Sequence, residues 1–277
     1  MPTPAGVTFP ELQPDAAPPH IRAIYDEICH WSAVPMAALI FRNLATHPGV
    51  LEEVWEGIAP LMRSGRLQEP AWAIAQSATA QGLLPPIEPN ARALMGLTPD
   101  ALAQIHITLD AYNRANPVNL LTMLGLLERL LTTAPARPMA PVAWTPPPAI
   151  SPGMPQMARL DVMAPHVRRL INDLGVGDRT ALDPVVPSLY RHLTDWPAYL
   201  ACLHVMLVPH FRDGTIARKT EAVRLAMASE AAQIAPLLPP MPRLAALTDV
   251  TATLLQFTTI VIPQMIVIGG AMRRSLA

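Results

Sequence analysis

Residues 20–28 read HIRAIYDEI and residues 166–174 read HVRRLINDL, alike position by position at an offset of 146. Four more pairs follow in the same order. Phe41-Arg42-x-Leu44-x-x-x-Pro48-x-x-Leu51 returns as Tyr190-Arg191-x-Leu193-x-x-x-Pro197-x-x-Leu200 at 149. APLMRSG (59–65) returns as VPHFRDG (208–214), also at 149. LLPPI (83–87) returns as LLPPM (237–241) at 154, and Leu97-Thr98 as Leu247-Thr248 at 150. The matches are collinear and their offset drifts only as loop-length changes would make it drift. They therefore predict a tandem duplication, which has to be recognised before any fold is assigned.

Between the copies, residues 134–157 (APARPMAPVAWTPPPAISPGMPQM) contain eight prolines. Each removes a backbone donor and fixes φ, which excludes a regular helix or a central strand. The expected organisation is a first helical repeat over 1–133, a proline-rich linker over 134–157 and a second helical repeat over 158–277. Trp144, in mid-linker, is the residue expected to pin the linker to the body of the protein.

Within each copy the apolar period is helical: Leu102, Ile105, Leu109 and Tyr112 recur at three and four, as do Leu120, Leu121, Leu124 and Leu127. Thr98 before Pro99 has the form of a helix start, a capping hydroxyl followed by a residue with no N–H to satisfy. Asp-Ala-Ala-Pro-Pro at 15–19 and Thr-His-Pro at 46–48 suggest the same device. No stretch alternates with period two, so the fold class is all-α, two tandem helical repeats packed as an intramolecular pseudo-dimer. Such halves pack about a pseudo-twofold axis, and the cleft between them is lined by equivalent positions.

A formal net charge of −1 gives no footprint for nucleic acid or for an anionic membrane surface. With 51% hydrophobic and only 15% charged residues, much of each helix has to be buried. Cys29 and Cys202 form no CxxC pair and no secretory leader is recognisable, which makes a cytoplasmic setting the expectation. Residues 250–272 carry no charge and are long enough to span a bilayer. Four threonines, two glutamines and Pro263 in that stretch favour a core helix buried on every side, so no membrane partner is expected. The eight histidines contain no HxxxH or HExxH spacing, and no metal site is expected.

VPMAAL (34–39), LATHPG (44–49), AYNRANP (111–117) and Asp195-Trp196-Pro197 together resemble the group I 2-haloacid dehalogenases. The resemblance runs through nearly the whole chain. It implies an all-α pseudo-dimer with the active site between the halves. It also implies hydrolysis in which an aspartate activates water to attack C2 of the substrate directly, inverting configuration with no metal or organic cofactor. The water-positioning asparagine then corresponds to Asn116 and the serine beside the catalytic acid to Ser188. The first copy's hydroxyl corresponds to Ser64, and its acid to Gln68, which is not an acid. The aromatic pair of the halide pocket corresponds to Met36 and Leu39. The water-activating aspartate corresponds to Leu189, and a leucine accepts no proton.

The resemblance thus implies a divergent dehalogenase-like protein with a pocket between the repeats for a small organic acid. The alternatives are a binding or scaffold protein that keeps the fold without the chemistry, and an enzyme of changed reaction type. For the last, Pro187 as a helix start would put Ser188 and His192 four apart on one face, where His192 could serve as base. Asp183 is the nearest carboxylate upstream. The partner expected is the small organic acid, and a homodimer is the candidate assembly.

Overall fold

The computed structural model describes residues 10–79, 82–140, 142–150, 153–175 and 186–277. Proline begins helix after helix along the chain, at positions where its missing N–H would have had no intrahelical partner. The first segment runs α1 (Pro19–Ser32), α2 (Leu39–Leu44), α3 (Val50–Arg63), α4 (Gln68–Thr79), α5 (Pro89–Leu94) and α6 (Pro99–Leu130). After the linker come α7 (Pro165–Gly175), α8 (Ser188–His192), α9 (Pro197–Arg212), α10 (Thr215–Ile234), α11 (Pro242–Ala245), α12 (Thr248–Gln256) and α13 (Ile262–Ser275). A 3₁₀ turn, Ala235–Leu237, follows α10, and π-helical Phe257–Val261 joins α12 to α13. The described residues contain no strand. The architecture is all-α.

The first three sequence pairs fall on helices or the turns that end them, in the same order in each segment. HIRAIYDEI lies in α1 and HVRRLINDL in α7; Phe41 lies in α2 and Tyr190 in α8. Gly65 and Gly214 each follow a helix with φ of +73°. One crossing occurs twice: Leu12 N donates to Arg42 O at 3.0 Å, and Ala158 N donates to Arg191 O at 3.2 Å.

The capping expectation holds at α6. Thr98 is extended, and its hydroxyl accepts from Ala101 N at 3.2 Å with Pro99 in the first turn. It does not hold at 46–48: α3 starts at Val50 behind Gly49 in the left-handed region, and the Thr46 hydroxyl instead donates back to Asn43 O at 2.7 Å. A glycine tolerates φ of +75° and can end that turn tightly, which a threonine cap could not do three residues earlier.

α6 is 32 residues long and spans about 48 Å at the usual rise per residue. It packs against α4, α10 and α13 and forms the axis of the protein. The uncharged stretch near the C-terminus forms one continuous helical run, Thr248–Ser275, long and apolar enough to cross a membrane. Here it is largely packed inside: every residue from Ile262 to Gly269 is buried. Burial on every side, the sequence expectation, holds for this half only: upstream, Leu255 and Ile260 are 51% and 42% exposed. Its approach to α6 and α4 requires the glycine pair. A Cβ on Gly269 would sit 2.5 Å from Asn113 Oδ1, and one on Gly270 would sit 2.5 Å from Thr79 Cγ2. One hydrophobic core runs through both segments, from Ala17 to Leu276.

No helix occurs between α6 and α7 among the described residues, and Trp144 does anchor this linker. Its indole N–H donates to Glu69 Oε1 at 2.9 Å, and its ring lies 6.3 Å from both Trp31 and Trp72. Further along, Ile150 N donates to Ala33 O and Arg114 Nη1 donates to Pro148 O, so the linker is tied down at several points.

Candidate functional site

The pocket between α2, α6, α8 and the Phe257–Met265 stretch is small, about 100 Å³, which is room for a ligand of few heavy atoms. Two short helix starts shape one side. Ala38 is extended ahead of α2, and Pro187, with φ of −58° and ψ of 131°, leads into α8, so that Met36, Leu39, Ser188 and Leu189 converge on the cavity. The long helix α6 supplies Tyr112, Ala115, Asn116 and Asn119 at helical spacing. Opposite them, Phe257, Val261, Ile262 and Met265 come from the π-helical turn and the start of α13. The linker contributes Met154 and Met157.

Five of the residues singled out from the sequence therefore line one cavity: Met36, Leu39, Asn116, Ser188 and Leu189. Leu189 is completely buried. Asn116 Nδ2 is buried and has no hydrogen-bond partner among the described residues, a donor left open on the wall of a pocket. Asp and Glu are absent from the described lining; its one charged group is Arg42. That guanidinium is 3% exposed, pairs through Nε with Glu11 Oε2 at 2.7 Å and donates through Nη1 to Ala37 O.

Three others lie elsewhere. The Ser64 hydroxyl donates to Leu61 O at 3.0 Å, closing the C-terminus of α3. Gln68 is fully buried and its Nε2 donates to Trp31 O at 3.0 Å and Met62 O at 2.8 Å. Two carbonyl oxygens converge there, so a donor is the group that fits; an ionised carboxylate would face two acceptors. His192 stands behind the pocket wall. Its Nδ1–H donates to the Pro155 carbonyl at 2.7 Å, which leaves Nε2 as a bare acceptor, buried with no partner among the described residues. Burial holds its pKa below the usual histidine value; the Pro155 contact works against this, while Arg191 and Arg42 add to it. Asp183 lies outside the described residues.

Tyr112 was not singled out from the sequence, although it sits four residues before Asn116 and so on the same face of α6. It is the residue that links the others. Ser188 lies close enough to its phenol to hold the phenol's pKa down somewhat, and its ring lies 5.8 Å from the His192 ring, tilted by 60°. Burial raises the phenol's pKa, outweighing Arg42, Ser188 and Arg191, so at neutral pH it is a protonated, uncharged group. The thiol of Cys29 is pushed up to about 12, chiefly by burial and also by Asp26, which makes it no thiolate nucleophile.

The site therefore offers donors (Asn116, Arg42, the hydroxyls of Tyr112 and Ser188) within apolar walls, and no carboxylate among the described lining residues. It can hold and orient a small polar head group on an aliphatic body. Among the described lining residues none is a base that could activate water there.

No protein-family model matches the chain, and no curated protein matches it in sequence. Solved structures do match. A D-2-haloacid dehalogenase mutant in complex with D-2-CPA has a TM-score of 0.75 at 19% identity, over 99% of this chain and 97% of that one. A D-2-haloacid dehalogenase with L-LA also has a TM-score of 0.75, at 16% identity over 99% of each chain. A further D-2-haloacid dehalogenase mutant gives 0.73 at 17% identity, over 99% and 98%. Over its whole length, the chain has the all-helical fold seen in the D-2-haloacid dehalogenases.

Proposed function

We propose that this chain is a divergent relative of the 2-haloacid dehalogenases that binds a small organic acid in the pocket between two tandem helical copies and does not hydrolyse it. The observation that carries the proposal is the lining. Leu189, fully buried, stands where the resemblance implies the water-activating aspartate, and the described lining contains no carboxylate to replace it.

The tandem arrangement is supported by the repeated crossing at Arg42 and Arg191 and by the matching left-handed glycines at 65 and 214. On this view Met36 and Leu39 on one side, and Ser188 and Leu189 on the other, are contributions from corresponding parts of the two copies. An organic acid is supported by Asn116 Nδ2, a buried donor awaiting an acceptor, and by Arg42 on the same wall. A small aliphatic body is supported by the volume and by methionines 36, 154, 157 and 265, whose flexible side chains adapt to a ligand's outline.

The test is thermal melting of the full chain with 2-chloropropionate, each enantiomer separately, with the ligand recovered and analysed afterwards. The proposal expects a concentration-dependent rise in Tm, with the ligand recovered unchanged. Stabilisation lost in Asn116→Ala would place the ligand in this pocket. No stabilisation by either enantiomer, or recovery of the 2-hydroxy acid, would reject the proposal.

A further inference from the structure

α6 turns its opposite face, with the C-terminal half of α13, to a second cleft, open and about 750 Å³ in volume. Its charged lining is Asp110 and Arg114 from α6 and Arg273 and Arg274 from α13. Three guanidiniums thus face one carboxylate in a chain whose formal net charge is −1. The positive excess is local to the cleft.

Each guanidinium is only partly engaged. Arg273 donates Nε to Asp110 Oδ1 at 2.7 Å, and Arg274 donates Nη2 to Thr79 Oγ1 at 3.0 Å. Arg114 donates Nη1 to Ala33 O and Pro148 O, at 3.0 and 2.8 Å. Their remaining N–H groups have no hydrogen-bond partner among the described residues. Trp72 lines the same cleft, and its indole N–H donates to Arg114 O at 2.9 Å, which fixes the ring beside the Arg114 backbone. Ile107 and Ile266 add to the apolar part of the wall.

A cleft carrying charge of one sign between low-dielectric walls concentrates counter-ions. Planar guanidinium forks match the paired oxygens of phosphate or carboxylate, which a lone ammonium does not. We propose that this cleft binds an organic molecule with a dianionic head group and an apolar body. The head is met by Arg114, Arg273 and Arg274, whose excess of two positive charges over Asp110 it neutralises, and the body lies against Trp72. A phosphate monoester and a dicarboxylate share this chemistry. The site is separate from the pocket: Tyr112 and Asn116 point to the other side of α6, so it stands or falls independently of the organic-acid proposal.

Calorimetric titration of the full chain with phenyl phosphate and, in parallel, phenylsuccinate tests it, with benzyl alcohol as the uncharged control. At least one dianion is expected to saturate a single site while benzyl alcohol shows none. The stronger of the two assigns the head group. Arg273→Gln with Arg274→Gln should weaken that binding by about tenfold or more, as should Gln76→Glu, which sets a negative charge on the cleft wall. Gln76 is exposed and its side chain makes no hydrogen bond among the described residues, so this variant keeps its fold if the arginine pair does not. Failure of both dianions to saturate, or an affinity unmoved by Gln76→Glu, would overturn the proposal.

Discussion

Leu189, fully buried at the start of α8, lines the same pocket as Asn116 of α6, whose amide nitrogen is buried without a partner among the described residues. A hydrogen-bond donor therefore shares a cavity with a side chain that can neither take nor give a proton. Binding needs only the donor. Hydrolysis by activated water needs both groups to be polar.

At Gln68 the chain's departure from an acid is explained by its surroundings, and Gln68→Glu should destabilise the protein. The side chain is buried with Nε2 held by two carbonyl oxygens. A carboxylate there is repelled by both, and the expected cost at pH 7 is about 3 kcal/mol or more. Such a glutamate would have its folded pKa raised above the unfolded value of about 4.3. The loss relative to wild type should therefore be small below that pH and grow as pH rises through the folded pKa. Urea melts of both proteins at pH 4 and pH 7 check this; an equal deficit at both would count against it.

Two glycines at corresponding places in the sequence pairs should answer differently to alanine. Gly65 and Gly214 both have φ of +73°, which costs an L residue about 1–2 kcal/mol. A Cβ on Gly65 also meets the Trp144 indole at 2.6 Å, whereas one on Gly214 meets only the flexible tip of Arg218 at 3.3 Å. Gly65→Ala should lose about 1–3 kcal/mol beyond the backbone cost, with a change in tryptophan fluorescence as the linker's anchor shifts. Gly214→Ala should show the backbone cost alone. Equal losses would mean that Trp144 yields freely.

His192 should make stability fall in acid. Its pKa is lowered in the folded protein by burial, so the unfolded chain, with a histidine near 6.5, takes up the proton first. Its contribution is complete above about pH 6.5 and is lost as pH falls below that towards the folded pKa. His106 is shifted in the same direction, again chiefly by burial, so the comparison has to be with a variant. His192→Asn can still donate to the Pro155 carbonyl but does not titrate. Between pH 8 and pH 5 wild type should lose more stability than His192→Asn; parallel losses would show that His192 is not the group.

Much of the fold could be read from local chemistry. Thr98-Pro99 marks a helix start that depends on two adjacent residues, and eight prolines in 24 residues prevent helix whatever surrounds them. The uncharged stretch at 250–272 was legible as a helix that enters the core, which it does from Ile262 on, while Thr259 and Ile260 before it stay exposed. At 46–48 the same kind of reading misled, since Gly49, which can adopt φ of +75°, delays the helix to Val50.

The site was legible only where neighbours in sequence are neighbours in space. Ser188 and Leu189, or Tyr112 and Asn116, are such pairs, although Tyr112's role emerges only once α8 lies beside it. Met154 and Met157 reach the pocket because the linker is pinned upstream at Trp144, Pro148 and Ile150, and no spacing rule carries that path. The positive cleft joins arginines about 160 residues apart in the chain. Nothing in either local stretch marks it.

The most direct test of the pocket's role is chloride release from both enantiomers of 2-chloropropionate by wild type and by Leu189→Asp. The substitution buries a carboxylate and should lower Tm, so circular dichroism has to show a folded protein at the assay temperature. The account predicts background chloride release by wild type with either enantiomer, and release above background by folded Leu189→Asp with at least one of them. Enantioselective, saturable chloride release by the wild-type protein would contradict it.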